Sequence, residues 1–208
     1  VKWPVIGVVA LVVFNVVMDI LRGGWSAPAE PGGFLHISLQ SGAPSGPLVD
    51  ILNHASEIVI LALGMTLVIA TRGVDLSVGS IMAVGGAIAA TLAFDQKPVA
   101  VSVAAALGLG ALCGLWNGVL VAVMRMQPFV ATLVFMVAGR GIAQLLTKSQ
   151  IVTFHSEGLE FIGNGRLSWA PLPFPFLLAM TMFGLTAIAT RRTALGLLIE
   201  AVGGNPEA

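Results

Sequence analysis

The sequence predicts an all-α fold, a polytopic bundle of transmembrane helices, and three observations predict it. The first is composition: 57% of the 208 residues are apolar and 10% are charged, against about 25% charged in an ordinary soluble domain. So few charges cannot cover the surface of a soluble fold. A mean hydropathy of +0.96 with a formal charge of zero likewise excludes a disordered chain. The second is a set of six apolar stretches of roughly the length, about 20 residues, that crosses a hydrocarbon core. The third is a stripe of small residues four apart, Ala106, Gly110, Gly114 and Gly118, of the kind that lets membrane helices pack closely.

Taken in order, the spans fall near 4–20, 51–71, 76–94, 98–124, 128–147 and 171–190. The first carries Asn15 and Asp19, and it has a rival reading as a cleaved signal peptide, because Ala27-Pro28-Ala29 has the small-x-small form of a processing site. The Pro- and Gly-rich stretch 22–50 then reads as an extramembrane loop. The second span holds one charge, Glu57; the third and fourth hold none. Pro98, Pro128 and Pro171 suit first-turn helix positions, where a missing N–H costs little. A second loop, 148–170, mixes Gly, Asn, Ser and both signs of charge. Segment 191–208 begins with Arg191-Arg192; a short helix over 195–202 is expected to end at Gly203-Gly204, and Asn205-Pro206-Glu207 suits the start of another. The opening at Val1 and the stop after Ala208 read as those of a fragment.

With the N-terminus inside, Lys2, Arg72, Arg125, Arg191 and Arg192 collect on the cytoplasmic side, and Arg22, Lys97, Lys148 and Arg166 on the other. The adjacent arginine pair directly after the last span is the most concentrated part of that pattern. Ten basic residues spread over the chain form no patch for nucleic acid.

The polar residues inside apolar runs need a reason. The short interruption Arg72-Gly73-Val74-Asp75 is either a surface hairpin or a broken helix whose backbone, with Asp75, meets a polar solute. Ser77 with Asp75 also suits a helix cap. Glu57 follows Asn53 by one turn and should face protein or water rather than lipid. Arg140 lies deep in its span, able to snorkel or to line a pathway. Asn117 beside the stripe suits an interhelical hydrogen bond. His36, His54 and His155 show no metal-ligand spacing, the lone Cys113 reads as packing, and no catalytic constellation or phosphate-binding glycine loop occurs.

The run 62–80, ALGMTLVIATRGVDLSVGS, together with LWNG at 115–118, PFVATL at 128–133 and AVGGN at 201–205, resembles the signature of permease subunits of ribose-type sugar ABC importers. The stretches 127–133, 136–141, 150–154 and 193–196 are most similar to the galactofuranose branch of that family. Arg72 stands where glycine is usual in this signature. The resemblance covers nearly the whole chain from Ile51 onward, and family members run further at the C-terminal end.

That resemblance implies a single permease domain over 1–208, a multi-pass subunit of the bacterial inner membrane. It would work as one of two permease copies, homo- or heterodimeric, with a periplasmic sugar-binding protein and a cytoplasmic ATP-binding subunit. ATP would be bound and hydrolysed by that partner, so this chain is expected to be no enzyme and to hold no cofactor or metal. Asp75, Ser77, Asn117, Phe129, Thr132, Arg140 and Glu57 are the pathway candidates: short polar groups and an aromatic face suit a neutral, hydroxyl-rich monosaccharide. Glu200, Gly203, Gly204 and Asn205 are the candidates for coupling to the ATPase. The alternative is a proton-coupled secondary transporter of a small polar solute, with Glu57 or Asp75 as the protonated group.

Overall fold

The computed structural model describes residues 2–24, 33–40, 43–167 and 172–204. Among them the helices are α1 (Lys2–Gly23), α2 (Pro47–Ala70), α3 (Val78–Phe94), α4 (Val99–Ala122), α5 (Pro128–Leu146), α6 (Glu157–Asn164), α7 (Phe174–Arg192) and α8 (Ala194–Gly204). Two three-residue strands, β1 (Ser38–Gln40) and β2 (Ala43–Ser45), pair antiparallel with Ser38 opposite Ser45. The helices α1, α2, α4, α5 and α7 are each long and apolar enough to cross a membrane. The expected polytopic helical bundle is therefore what forms, with five full-length candidates rather than six, because α3 stops at 17 residues.

Several boundaries differ from expectation. The second span starts earlier, at Pro47, where Asp50 sits in its first turn. The loop 148–170 contains α6, and α7 begins at Phe174. Pro171, the motif Ala27-Pro28-Ala29 and residues 205–208 lie outside the described residues. Pro128 occupies the first turn of α5, whereas Pro98 is the N-cap of α4 and offers its carbonyl to Val101 and Ser102.

The chain divides into two compact units, Val1–Val59 with Phe161–Met182, and Ile60–Glu160 with Phe183–Ala208. In the first unit two polar residues of α1 have partners: Asn15 Nδ2 donates to the Leu11 carbonyl at 2.8 Å, and Asp19 accepts the Phe34 N–H at 2.6 Å. A Cβ on Gly46 would fall on the His36 carbonyl, so only glycine fits ahead of α2. Asn53 donates to Asn164 Oδ1 at 2.7 Å, Arg166 pairs with Asp50 at 3.1 Å, and the rings of Phe161 and Phe174 lie 4.9 Å apart.

In the second unit α3 packs against both α4 and α5. Its interior is built from small and polar side chains: Ser77, Ser80, Ala87, Asn117, Ala131 and Thr132 are buried, while Leu107, Leu112, Val123 and Leu145 face outward. That inversion is expected where hydrocarbon is the solvent, because helices there gain nothing by hiding leucine and associate through close packing of small groups.

α2, α3 and α5 end in the same way. Gly73, Lys97 and Ser149 donate backwards across five residues to Val68, Leu92 and Gln144. The residue before each, Arg72, Gln96 and Lys148, has φ near +55°, at 58°, 55° and 54°. This is the Schellman closure. Its left-handed position, normally glycine, is held here by residues with a Cβ, at a cost of roughly 1 kcal/mol each.

Candidate functional site: the break between α2 and α3

α2 ends at Ala70 and α3 begins at Val78, and the backbone between them leaves helical geometry. The interruption 72–75 thus lies in the non-helical connection 71–77 between α2 and α3. Side chains from three directions hold it. Asp75 Oδ1 accepts the backbone N–H of Ser77 at 2.7 Å and its hydroxyl at 2.5 Å. Ser77 Oγ in turn accepts Asn117 Nδ2 of α4 at 2.9 Å. From α5, the Thr132 hydroxyl donates to the Pro128 carbonyl at 2.9 Å and lies 3.3 Å from the carbonyl of Val74. Ser77 is 0% exposed and Asn117 7%.

This polar chain is only partly closed. Asn117 Oδ1 is buried without a hydrogen-bond partner, as is Ser102 Oγ elsewhere on α4. An unpaired buried acceptor costs about 1–3 kcal/mol. It also offers a hydroxyl a place to donate.

Of the pathway candidates, Asp75, Ser77, Asn117 and Thr132 come together at the break. Phe129 is one turn away and 47% exposed, and only its carbonyl, 3.3 Å from the Thr132 hydroxyl, reaches the cluster. Arg140 is exposed, one residue beyond Gly139, where α5 meets Ser80. Glu57 is in the other unit and exposed, while Asn53, its neighbour one turn back, is buried, so the two do not share one environment.

The coupling candidates are placed differently from expectation. Both glycines are helical, and α8 is described as far as Gly204. Gly203 is needed for space rather than for positive φ, because a Cβ there would fall on the carbonyl of Ala70, the last residue of α2. Arg72 Nη2 donates to the Gly204 carbonyl at 3.2 Å. Glu200 is exposed, and Asn205 lies outside the described residues. At the other end of α8, the Thr193 hydroxyl lies 3.3 Å from the Leu195 N–H, and Gly196 packs so tightly on the Thr190 carbonyl that no Cβ fits.

The small-residue stripe divides. Gly85 of α3 faces Ala106, and Gly110 faces Ile81 Cγ2 at 3.8 Å from its Cβ position. Around Gly114 and Gly118 nothing lies within 4 Å. A close crossing of α3 and α5 is one that spacing did not reveal: a Cβ on Gly139 would lie 2.9 Å from Ser80 Cβ. Ser80 Oγ donates to the Ser77 carbonyl at 2.7 Å, so this crossing also supports the break. The pair Gly139 and Ser80 sits on two separate apolar runs, and only their small size hinted at contact.

Several apolar helices long enough to cross a membrane, and a connection between α2 and α3 braced by buried polar side chains, agree with a membrane transport permease. The comparison of sequences makes this specific: the chain belongs to the family described as branched-chain amino acid transport system / permease component, which matches residues 48–208. It is 51% identical over 172 residues to the galactofuranose transporter permease protein YtfT of Escherichia coli (strain K12), covering 83% of this chain and 50% of that one. It is 35% identical over 214 residues to the fructose import permease protein FruF of Bifidobacterium longum (strain NCC 2705), covering 99% and 56%. With the ribose import permease protein RbsC of Escherichia coli (strain K12) it shares 40% identity over 169 residues, covering 77% and 51%. The chain spans about half the length of these relatives. No solved structure matches it.

Proposed function

We propose that the protein is the membrane-spanning permease subunit of an ATP-driven importer of a monosaccharide, with galactofuranose as the first sugar to test. The observation that carries this reading is the 51% identity to a galactofuranose transporter permease, which extends over 83% of the chain and includes the whole break region. The chemistry of the break supports it: a neutral sugar offers hydroxyls, and the cluster offers the Asp75 carboxylate and the unpaired Asn117 Oδ1 as acceptors.

In this reading Asp75, Ser77, Asn117 and Thr132 border the pathway, and Phe129 presents an aromatic face beside it. α8, with Glu200 and Gly203, meets a cytoplasmic ATP-binding subunit, which alone binds and hydrolyses ATP. A periplasmic binding protein delivers the sugar, a second permease copy completes the pathway, and the assembly sits in a bacterial inner membrane. The test is purification of the full-length protein in mild detergent, followed by uptake in proteoliposomes. Co-purification of an ATPase and ATP-dependent uptake of labelled galactofuranose, ribose or fructose are the expected results. Uptake that persists without ATP and carries protons inward would replace this reading with a proton-coupled transporter.

A further inference from the structure

We propose that Arg72 is a strut that fixes α8 to the break between α2 and α3, so that a displacement of α8 is passed to the segment carrying Asp75 and Ser77. Three features of the same corner of the molecule carry it. Arg72 holds a left-handed backbone, φ 58°, that glycine would adopt without strain. Its side chain supplies a reason for an arginine there: Nη2 reaches the carbonyl of Gly204, 132 residues away, at 3.2 Å. That carbonyl lies at the C-terminal end of the described α8, where the helix dipole favours a cation.

The second contact comes from the other side. Gly203 seats its Cα against the carbonyl of Ala70, leaving no room for a Cβ, so the last turn of α8 rests directly on the end of α2. The third feature is what lies beyond. Three residues after Arg72, Asp75 begins the hydrogen-bonded chain through Ser77 to Asn117 on α4, and Thr132 of α5 lies beside Val74. If α8 moves as a rigid piece, it either breaks the Arg72 bond and slides off Ala70 or drags the break with it. The contact exists whatever moves α8; that an ATPase moves it rests on the importer reading above.

The experiment uses the full-length permease with whatever subunits co-purify, in proteoliposomes, as wild type, Arg72→Gln and Arg72→Lys. A charge-assisted hydrogen bond contributes enough that its loss should speed local opening about tenfold. We expect Arg72→Gln to exchange the backbone amides of both 201–204 and 73–77 about tenfold faster, and Arg72→Lys to stay near wild type. Uptake should fall about tenfold in Arg72→Gln while ATP hydrolysis stays within about twofold of wild type. Unchanged exchange in either segment would overturn the strut, as would uptake and hydrolysis falling in parallel. A wild-type preparation without an ATPase would overturn the importer reading instead, and the exchange pattern alone would then decide for or against the strut.

Discussion

Asn117 on α4 donates its Nδ2 to the hydroxyl of Ser77 at 2.9 Å, joining the start of α3 to a helix 40 residues further along. The Ser77 hydroxyl in turn donates a hydrogen bond to Asp75 Oδ1, so one serine links a carboxylate to a neighbouring helix. Interhelical hydrogen bonds in membranes are worth about 0.6 kcal/mol on average and about 1.7 at most. A double-mutant cycle of Ser77→Ala and Asn117→Ala, read by denaturant unfolding in detergent, should give a coupling energy in that range. Strict additivity of the two single losses would mean that the bond stabilises nothing.

The crossing of α3 and α5 at Ser80 and Gly139 has no slack, because a Cβ on Gly139 would sit 2.9 Å from Ser80 Cβ and 3.2 Å from a Phe135 ring carbon. Gly139→Val should therefore destabilise the protein by about 1–3 kcal/mol through overpacking. Gly141→Ala, in open space two residues on, should change stability by less than about 0.5 kcal/mol. Equal melting temperatures for the two variants would show that α5 can shift freely.

Along α4 the small residues should separate by position. Gly110→Leu meets Ile81 and should cost about 1–3 kcal/mol. A Cβ added at Gly114 would meet nothing within 4 Å, and Gly114→Leu should leave unfolding in detergent unchanged. Loss of uptake in Gly114→Leu, with stability retained, would mark that stretch as a contact for another helix or chain.

At the far end of α8, adjacent glycines should behave differently. Gly203→Ala drives a methyl onto the Ala70 carbonyl, whereas Gly204→Ala has open space. Uptake by the full-length protein should be lost in the first and kept in the second, with both inserted in the membrane. Retained uptake in Gly203→Ala would mean that α8 does not rest on α2 during transport.

Orientation can be read chemically in a Cys113→Ala background. Ile151 is 96% exposed in the segment after α5, and Leu197 is 70% exposed on α8. With the arginine pair Arg191-Arg192 inside, Ile151→Cys should react with a membrane-impermeant thiol reagent applied from the periplasmic side. Leu197→Cys should react only after the inner membrane is opened. The reverse pattern would invert the topology.

The apolar runs made the spans legible because length and hydropathy are summed properties: Pro128 begins α5 and Phe94 ends α3, as read from the sequence. The break at 72–75 was legible because two charges interrupt an apolar stretch. α6 was not. Its residues include Gly158, Gly163 and Asn164, loop formers by propensity, and its helix is supported by contacts remote in sequence, Gly158 seated on Val99 and Phe161 stacked near Phe174. Gly203 was singled out for the wrong property. A glycine pair after a helical run signals a left-handed stop, but here the need is clearance for another carbonyl, which depends on how the chain folds back. Conversely, the left-handed stops at Arg72, Gln96 and Lys148 carry no glycine and so gave no local signal.

α3 has 17 residues, a rise of about 25 Å against a hydrocarbon layer of about 30 Å. With Phe94 placed at one interface, a helix of that length would leave the stretch ahead of Val78 to make up the difference. A thicker bilayer stretches that stretch and a thinner one relaxes it, at a fraction of a kcal/mol per ångström. The acyl length of the surrounding lipid thus bears on the same few residues that hold Asp75 and Ser77. Membrane thickness would then act on the connection between α2 and α3 before any solute arrives.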